Sequence, residues 1–184
     1  MKIKQTIKSI NKMDSPNMHI AVQNAGLVLL QSYFVMLFER LNLVNERSFV
    51  SEKAQLDAVH YLQYIVTGAT ETEESFLILN KVLCGLPLCA PIKSGITIPE
   101  THKELIGEMI RSSIGHWEAI GKTSVDGFRG NWLVREGVLK EVEDHWSLNV
   151  EKKPYDILLG KSPFSFSIIK FPWMQKPLNV NWAY

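Results

Sequence analysis

Cysteine is scarce in this sequence: only Cys84 and Cys89 occur among 184 residues. Two thiols cannot staple a small secreted domain, so a reducing compartment is expected. Long apolar runs are missing as well. The most apolar window, residues 25–38, is interrupted by Gln31 and Ser32 and closes at Glu39 and Arg40, short of the ~20 residues a membrane-spanning helix needs. An excess of one charge is also lacking, with 20 Lys and Arg against 19 Asp and Glu and a net of +1. No global field therefore selects nucleic acid, anionic lipid or an acidic ligand. An export signal would need an apolar stretch soon after the first lysines, but polar Asp14-Ser15-Pro16-Asn17 intervenes. Repeats and low-complexity tracts do not occur, and no Pro- or Gly-rich linker divides the chain.

What is present is apolar material: 46% of the residues, enough for one continuous core at this length. One domain is expected over residues 18–184. It is preceded by a basic arm, residues 1–17, in which Lys2, Lys4, Lys8 and Lys12 meet only Asp14. Such an arm reads either as a solvated tail or as a segment that orders on meeting a partner.

Helical periodicity dominates the first two thirds. Asn24 fits the N-cap of a first helix whose Leu27, Leu30, Phe34, Leu37, Phe38 and Leu41 build one face, while Val28, Leu29, Val35 and Met36 fall on the other sides. A helix apolar nearly all round lies centrally in a core or presses on a second chain. A second helix is predicted over residues 51–67 with Gly68 as its left-handed cap. A third starts among Glu71, Glu73 and Glu74, turns Phe76, Leu79 and Leu83 inward, and stops at Gly85. Residues 86–98 read as an ordered loop. Pro99 opens a fourth helix with the stripe Ile106, Met109, Ile110, Ile114 and Trp117, and a short fifth uses Val125, Phe128 and Trp132 before Gly137 stops it.

Beyond Gly137 the period becomes two. Residues 138–142 and 146–150 are expected to pair, and residues 164–168 and 178–182 alternate likewise, with a helical turn at Tyr155-Asp-Ile-Leu-Leu159. About five helices followed by a small, mainly antiparallel C-terminal sheet make an α+β domain.

Enzymatic constellations fail on spacing or context. Gly121-Lys122-Thr123 echoes the end of a phosphate-binding loop, but Gly115 is one residue too distant and a helix precedes where a strand is required. A turn between helices explains it. Cys84 and Cys89 lack two further ligands for zinc and read as small buried side chains. Ser9 and Lys12 match S-x-x-K without its companion motifs. Asp57 and His60 share a helix face and could form an acid/base couple, yet no nucleophile motif accompanies them. The expectation is a protein with no catalytic residues, no cofactor and no metal, acting on other proteins. The surfaces that could do so are the all-round apolar first helix and the aromatic C-terminus, with Leu29, Met36, Phe171, Trp173, Met174, Trp182 and Tyr184 as candidate interface residues. Each is either core or interface on this reading.

Six segments, in order, carry a resemblance: Asn24-Ala-Gly-Leu-Val-Leu-Leu30, Ala58-Val-His-Tyr-Leu-Gln-Tyr-Ile-Val-Thr-Gly68, Leu79-Asn-Lys-Val-Leu-Cys-Gly85, Arg135-Glu-Gly137, Tyr155-Asp-Ile-Leu-Leu159 and Ser167-Ile-Ile-Lys-Phe-Pro-Trp-Met174. From about residue 18 to the last residues the sequence resembles the C-terminal domain of tape measure proteins of contractile injection systems. The resemblance implies a phage-tail-like structural role, attachment to hub, spike, inner-tube or baseplate components, self-association as a further option, and no catalytic residues. It also implies assembly in the cytoplasm followed by residence in the particle. The alternatives kept beside it are an adaptor or chaperone that loads cargo into the tube, and a small hydrolase around Asp57 and His60. Usual members are long, with an extended region before this domain that is thought to set tube length. Even fully helical, 184 residues would reach only about 280 Å, so the docking part of the job is what the resemblance implies here. Arg135 and Glu136 are expected to be structural.

Overall fold

The computed structural model describes residues 18–183. The first described element is a strand, β1 (His19–Val22), which lies on the edge of a five-stranded sheet built otherwise from the C-terminal part of the chain. Sequence periodicity missed it, because four residues are too few to show alternation. The chain then enters a 3-10 helix, Ala25–Tyr33, that continues as α1 (Phe34–Arg40). An unbroken α-helix was expected here. The tighter winding coincides with close backbone approach: a Cβ on Gly26 would lie 1.7 Å from the Trp132 carbonyl oxygen. All six residues from Ala25 to Leu30 are buried, so the all-round apolar character belongs to a central core element.

A two-residue hairpin, β2 (Val44–Asn45) and β3 (Ser48–Phe49), precedes α2 (Glu52–Thr67). Ser51 caps α2 by accepting from the Ala54 N–H at 3.0 Å, and Gly68 ends it at φ 72°, the left-handed conformation glycine adopts without Cβ strain. Arg129 seals that end by donating to the Ile65 and Tyr64 carbonyls at 3.0 and 3.2 Å. The Tyr64 carbonyl also accepts the Gly68 N–H at 2.8 Å, so the guanidinium adds a second donor there and one for Ile65 at the negative pole of the helix.

The expected third helix is shorter and begins as a 3-10 turn, Glu74–Leu77, before α3 (Ile78–Leu83). Leu79 and Leu83 are buried as predicted, whereas Phe76 is 36% exposed. After the loop comes α4 (Glu100–His116), whose Ile106, Met109, Ile110 and neighbouring Trp117 are buried. Then α5 (Val125–Phe128) runs into a π-helical turn, Arg129–Leu133. Gly121 turns the chain between the 3-10 helix Glu118–Ile120 and α5.

Gly137, expected as a helix stop, is the first residue of β4 (Gly137–Glu141). It pairs with β5 (Trp146–Val150), as anticipated. A 3-10 helix, Pro154–Lys161, precedes β6 (Ile168–Ile169) and β7 (Leu178–Asn181). The sheet order is β1-β4-β5-β7-β6; every pair is antiparallel except β5 with β7. The strand expected over residues 164–168 is reduced to the two residues of β6. Register rows such as Ile20, Leu139, Leu148 and Val180 share one face of the sheet, and Leu139 and Leu148 are fully buried there. The other face carries Val138, Asn149 and Asn181, with Asn181 donating to the Asn149 side chain at 2.9 Å. One continuous apolar cluster joins the inner face to all five α-helices.

Candidate functional site

The predicted interface residues do not form one surface. Leu29, Phe171, Met174 and Trp182 are 0, 6, 4 and 5% exposed, so each is covered by the chain's own core in this conformation. Phe171 and Trp173 belong to an aromatic cluster with Phe34, Phe38 and Phe49, ring centroids lying 4.9–5.9 Å apart between neighbours. Trp173 is half-buried and donates its indole N–H to the Leu83 carbonyl at 2.9 Å, tying the C-terminal part to the end of α3. Tyr184 lies outside the described residues. Met36 is different: it is 45% exposed on α1.

Met36 rims a groove of about 200 Å³ between α1 and α4, with Tyr33, Leu37, Leu105 and Met109 as its apolar lining and Arg40 and Glu108 beside them. An apolar centre with a charged rim is the usual anatomy of a docking patch.

A second concavity, of about 940 Å³, lies between α2 and residues 91–97. It gathers Asp57 and His60, the pair singled out as a potential acid/base couple, with Leu56, Ile92, Ile96 and Lys93. Asp57 is engaged by Lys53, one turn earlier on α2. Burial lowers the His60 pKa, against a smaller opposing pull from Asp57 and from the Lys93 carbonyl it donates to. Tyr61, next to it, meets His102 Nδ1 at 2.6 Å. Its phenol is pushed up by burial and then by the Asp57 charge. Thr97 supplies the one hydroxyl among the lining residues. Among the described residues no group of three or more His, Cys, Asp and Glu could hold a metal ion, and no helix is long and apolar enough to cross a membrane.

The cysteines part company in the fold. Cys84 is buried and Cys89 exposed, so only the first is the small buried side chain the spacing suggested.

Two buried polar centres escaped sequence reasoning. In the first, Arg135 donates from one nitrogen to both carboxylate oxygens of Asp156 at 2.9 Å and to the Glu151 carbonyl, and from another to the Asn131 carbonyl. Asp156 also accepts from the Lys153 N–H and the Trp182 indole, each at 2.9 Å. The rings of Trp132, Tyr155 and Trp182 stand 5.0–5.9 Å from the guanidinium carbon. In the second, Asn24 takes the expected N-cap position of the helix that follows, but its side chain makes no capping hydrogen bond. Its side chain is buried and donates to Asn80 Oδ1 at 2.7 Å and Gln63 Oε1 at 3.1 Å, while Asn80 donates to the Val59 carbonyl. Both centres join elements far apart in sequence and neither opens to solvent. Polar groups so placed specify packing, and they hold the 3-10 segment, α2, α3 and the sheet in one arrangement.

The family model described as contractile injection system tape measure protein matches residues 2–182. The chain belongs to that family. No curated protein and no solved structure matches it. Membership in the tape measure family makes this a non-enzymatic structural and assembly protein of a phage-tail-like contractile injection system. It accounts for where the buried polar residues fall: Asn24, Asn80, Arg135 and Asp156 each sit in one of the six segments that carried the resemblance. Those segments therefore carry the buried polar contacts that hold the fold together.

Proposed function

We propose that this domain is the attachment part of a tape measure protein, docking on hub, spike or inner-tube components while the particle is assembled in the cytoplasm and remaining within it afterwards. The observation that carries this reading is Met36, a large apolar side chain left 45% exposed at the lip of the α1–α4 groove in a family whose members work inside a multi-subunit particle. A partner side chain entering between Tyr33, Leu37, Leu105 and Met109 would bury apolar surface on both sides, with Arg40 and Glu108 available for rim contacts. The half-buried Trp173 is the other retained member of the candidate interface. Residues 18–184 would act as one docking domain, with Leu29, Phe171, Met174 and Trp182 shaping it from beneath.

Co-purification with hub, spike and inner-tube subunits tests this. Met36→Asp changes an exposed position and should leave the fold intact while weakening capture by at least about tenfold, as for a central interface residue. Unchanged capture by the variant would remove the groove from the interface. Particles that form normally but empty after deletion of the gene would replace attachment by cargo loading.

A further inference from the structure

The cleft between α2 and residues 91–97, about 940 Å³, lies at the upper end of the roughly 300–1,000 Å³ of ligand pockets, and the attachment surface at Met36 makes no use of it. One wall is a main-chain edge. Residues 94–96 form a short antiparallel pairing with residues 70–72: the Thr72 N–H donates to the Ser94 carbonyl at 2.8 Å, the Ile96 N–H donates to the Thr70 carbonyl at 3.2 Å, and Glu71 stands opposite Gly95. Main-chain groups alternate in direction along such a pairing, so those of Gly95 and Thr97 point away from residues 70–72. Both residues line the cleft. A Cβ on Gly95 would lie 2.6 Å from the Thr70 carbonyl oxygen, so the close pairing requires glycine and leaves only backbone to face the cleft there. Among the described residues no other backbone group bonds the N–H or C=O of Gly95 or Thr97. Open groups on such an edge are a template for a further strand.

The rest of the lining narrows the occupant. Leu56, Ile92 and Ile96 supply apolar surface, and Leu56, half-buried on α2, is not among the residues packed on the core cluster. Glu52 and Asp57 balance Lys53 and Lys93 in number, and Lys53 already engages Asp57. The cleft therefore has no excess charge with which to select a phosphate or another anionic ligand. An uncharged occupant that offers N–H and C=O groups at strand spacing, together with apolar side chains, is a peptide in extended conformation.

We propose that this cleft takes an extended peptide segment of another particle subunit, added as a strand along residues 95–97, with alternate apolar side chains against Leu56, Ile92 and Ile96. The source of the peptide rests on the attachment reading; the strand edge does not.

Overlapping synthetic peptides that span the hub, spike and inner-tube subunits are the probe, and hydrogen exchange on the full chain is the readout. A bound peptide should slow the Gly95 and Thr97 amides at least about tenfold, with little change at the Ile96 amide, which already bonds Thr70. N-methylation of that peptide at alternate positions should weaken binding at least about tenfold, while the intervening positions tolerate it. Leu56→Asp should weaken binding to a similar extent with the thermal midpoint kept, and Met36→Asp should not weaken it. Binding that leaves the Gly95 and Thr97 amides as fast as before, tolerates N-methylation at every position or survives Leu56→Asp overturns the proposal. Capture of whole subunits with no peptide bound overturns it while leaving attachment standing, and failure to capture either removes both. Exchange at Gly95 and Thr97 that slows as the concentration of the protein alone rises overturns it in favour of a second copy.

Discussion

Arg135 and Asp156 meet with both side chains fully buried, one guanidinium nitrogen 2.9 Å from each carboxylate oxygen. Three aromatic rings surround the pair, so neither charge is solvated if the other is removed. Breaking such a pair from one side leaves an uncompensated charge and costs about 3–5 kcal/mol. Asp156→Ala should lower the unfolding free energy by that order in urea titrations. The double replacement Arg135→Met/Asp156→Leu should be less harmful than Asp156→Ala alone. A double variant as unstable as the single one would mean that the shape of the pair matters more than its charge.

Gly26 packs against the π-helical turn so closely that a Cβ would lie 1.7 Å from the Trp132 carbonyl oxygen and 2.8 Å from the Leu133 Cα. Those atoms are backbone and cannot rotate away. Gly26→Ala should therefore cost at least about 3 kcal/mol, the upper end for overpacking, and lower the thermal midpoint sharply. Gly130→Ala, in the same π-helical turn with open space around it, serves as the tolerated control.

His60 gives the protein a stability that depends on pH. Burial lowers its pKa below the ordinary 6.5, so the unfolded chain binds the proton more readily than the folded one. The contribution is complete above about pH 6.5 and is lost as pH falls through the lowered folded value. The urea midpoint should drop between pH 7.5 and 5.5, and His60→Gln should flatten that drop. Parallel pH profiles for the two proteins would show that other groups govern the acid side.

The two thiols should differ in reactivity. Burial pushes the Cys84 pKa far above the usual thiol range, while Cys89 is exposed, and only an accessible thiolate attacks a disulfide reagent. An aromatic disulfide reagent should titrate one thiol in the folded protein and two in denaturant. Cys89→Ser should abolish the native signal, and any residual fast reaction in that variant would show that Cys84 is reached through local opening.

Several elements were legible because their signals are local. Ser51 and Gly68 delimit α2 by capping chemistry that involves a few neighbouring residues, and the stripe from Ile106 to Trp117 repeats often enough to define α4 and the residue that follows it. Alternation from Trp146 to Val150 likewise announced β5. Met36 was recognised as a candidate contact residue, but on the same argument as Leu29, which is buried. Periodicity reports that a residue is apolar; which side of a crowded helix faces solvent depends on what packs there. Asn24 takes the N-cap position its type suits, yet its side chain makes no capping bond and reaches Gln63 and Asn80, 39 and 56 residues away.

By itself the sequence determined the class of the protein: helices first and strands later, a core large enough for one cluster, and six ordered segments that place it among tape measure proteins. These follow from composition, spacing and order along the chain. Tertiary structure alone decided that β1 joins the far end of the chain in one sheet, that β5 and β7 run parallel, and that Arg135 finds Asp156. Each of these depends on contacts between residues distant in sequence, whose free energy exists only once the chain has closed on itself and excluded water between them.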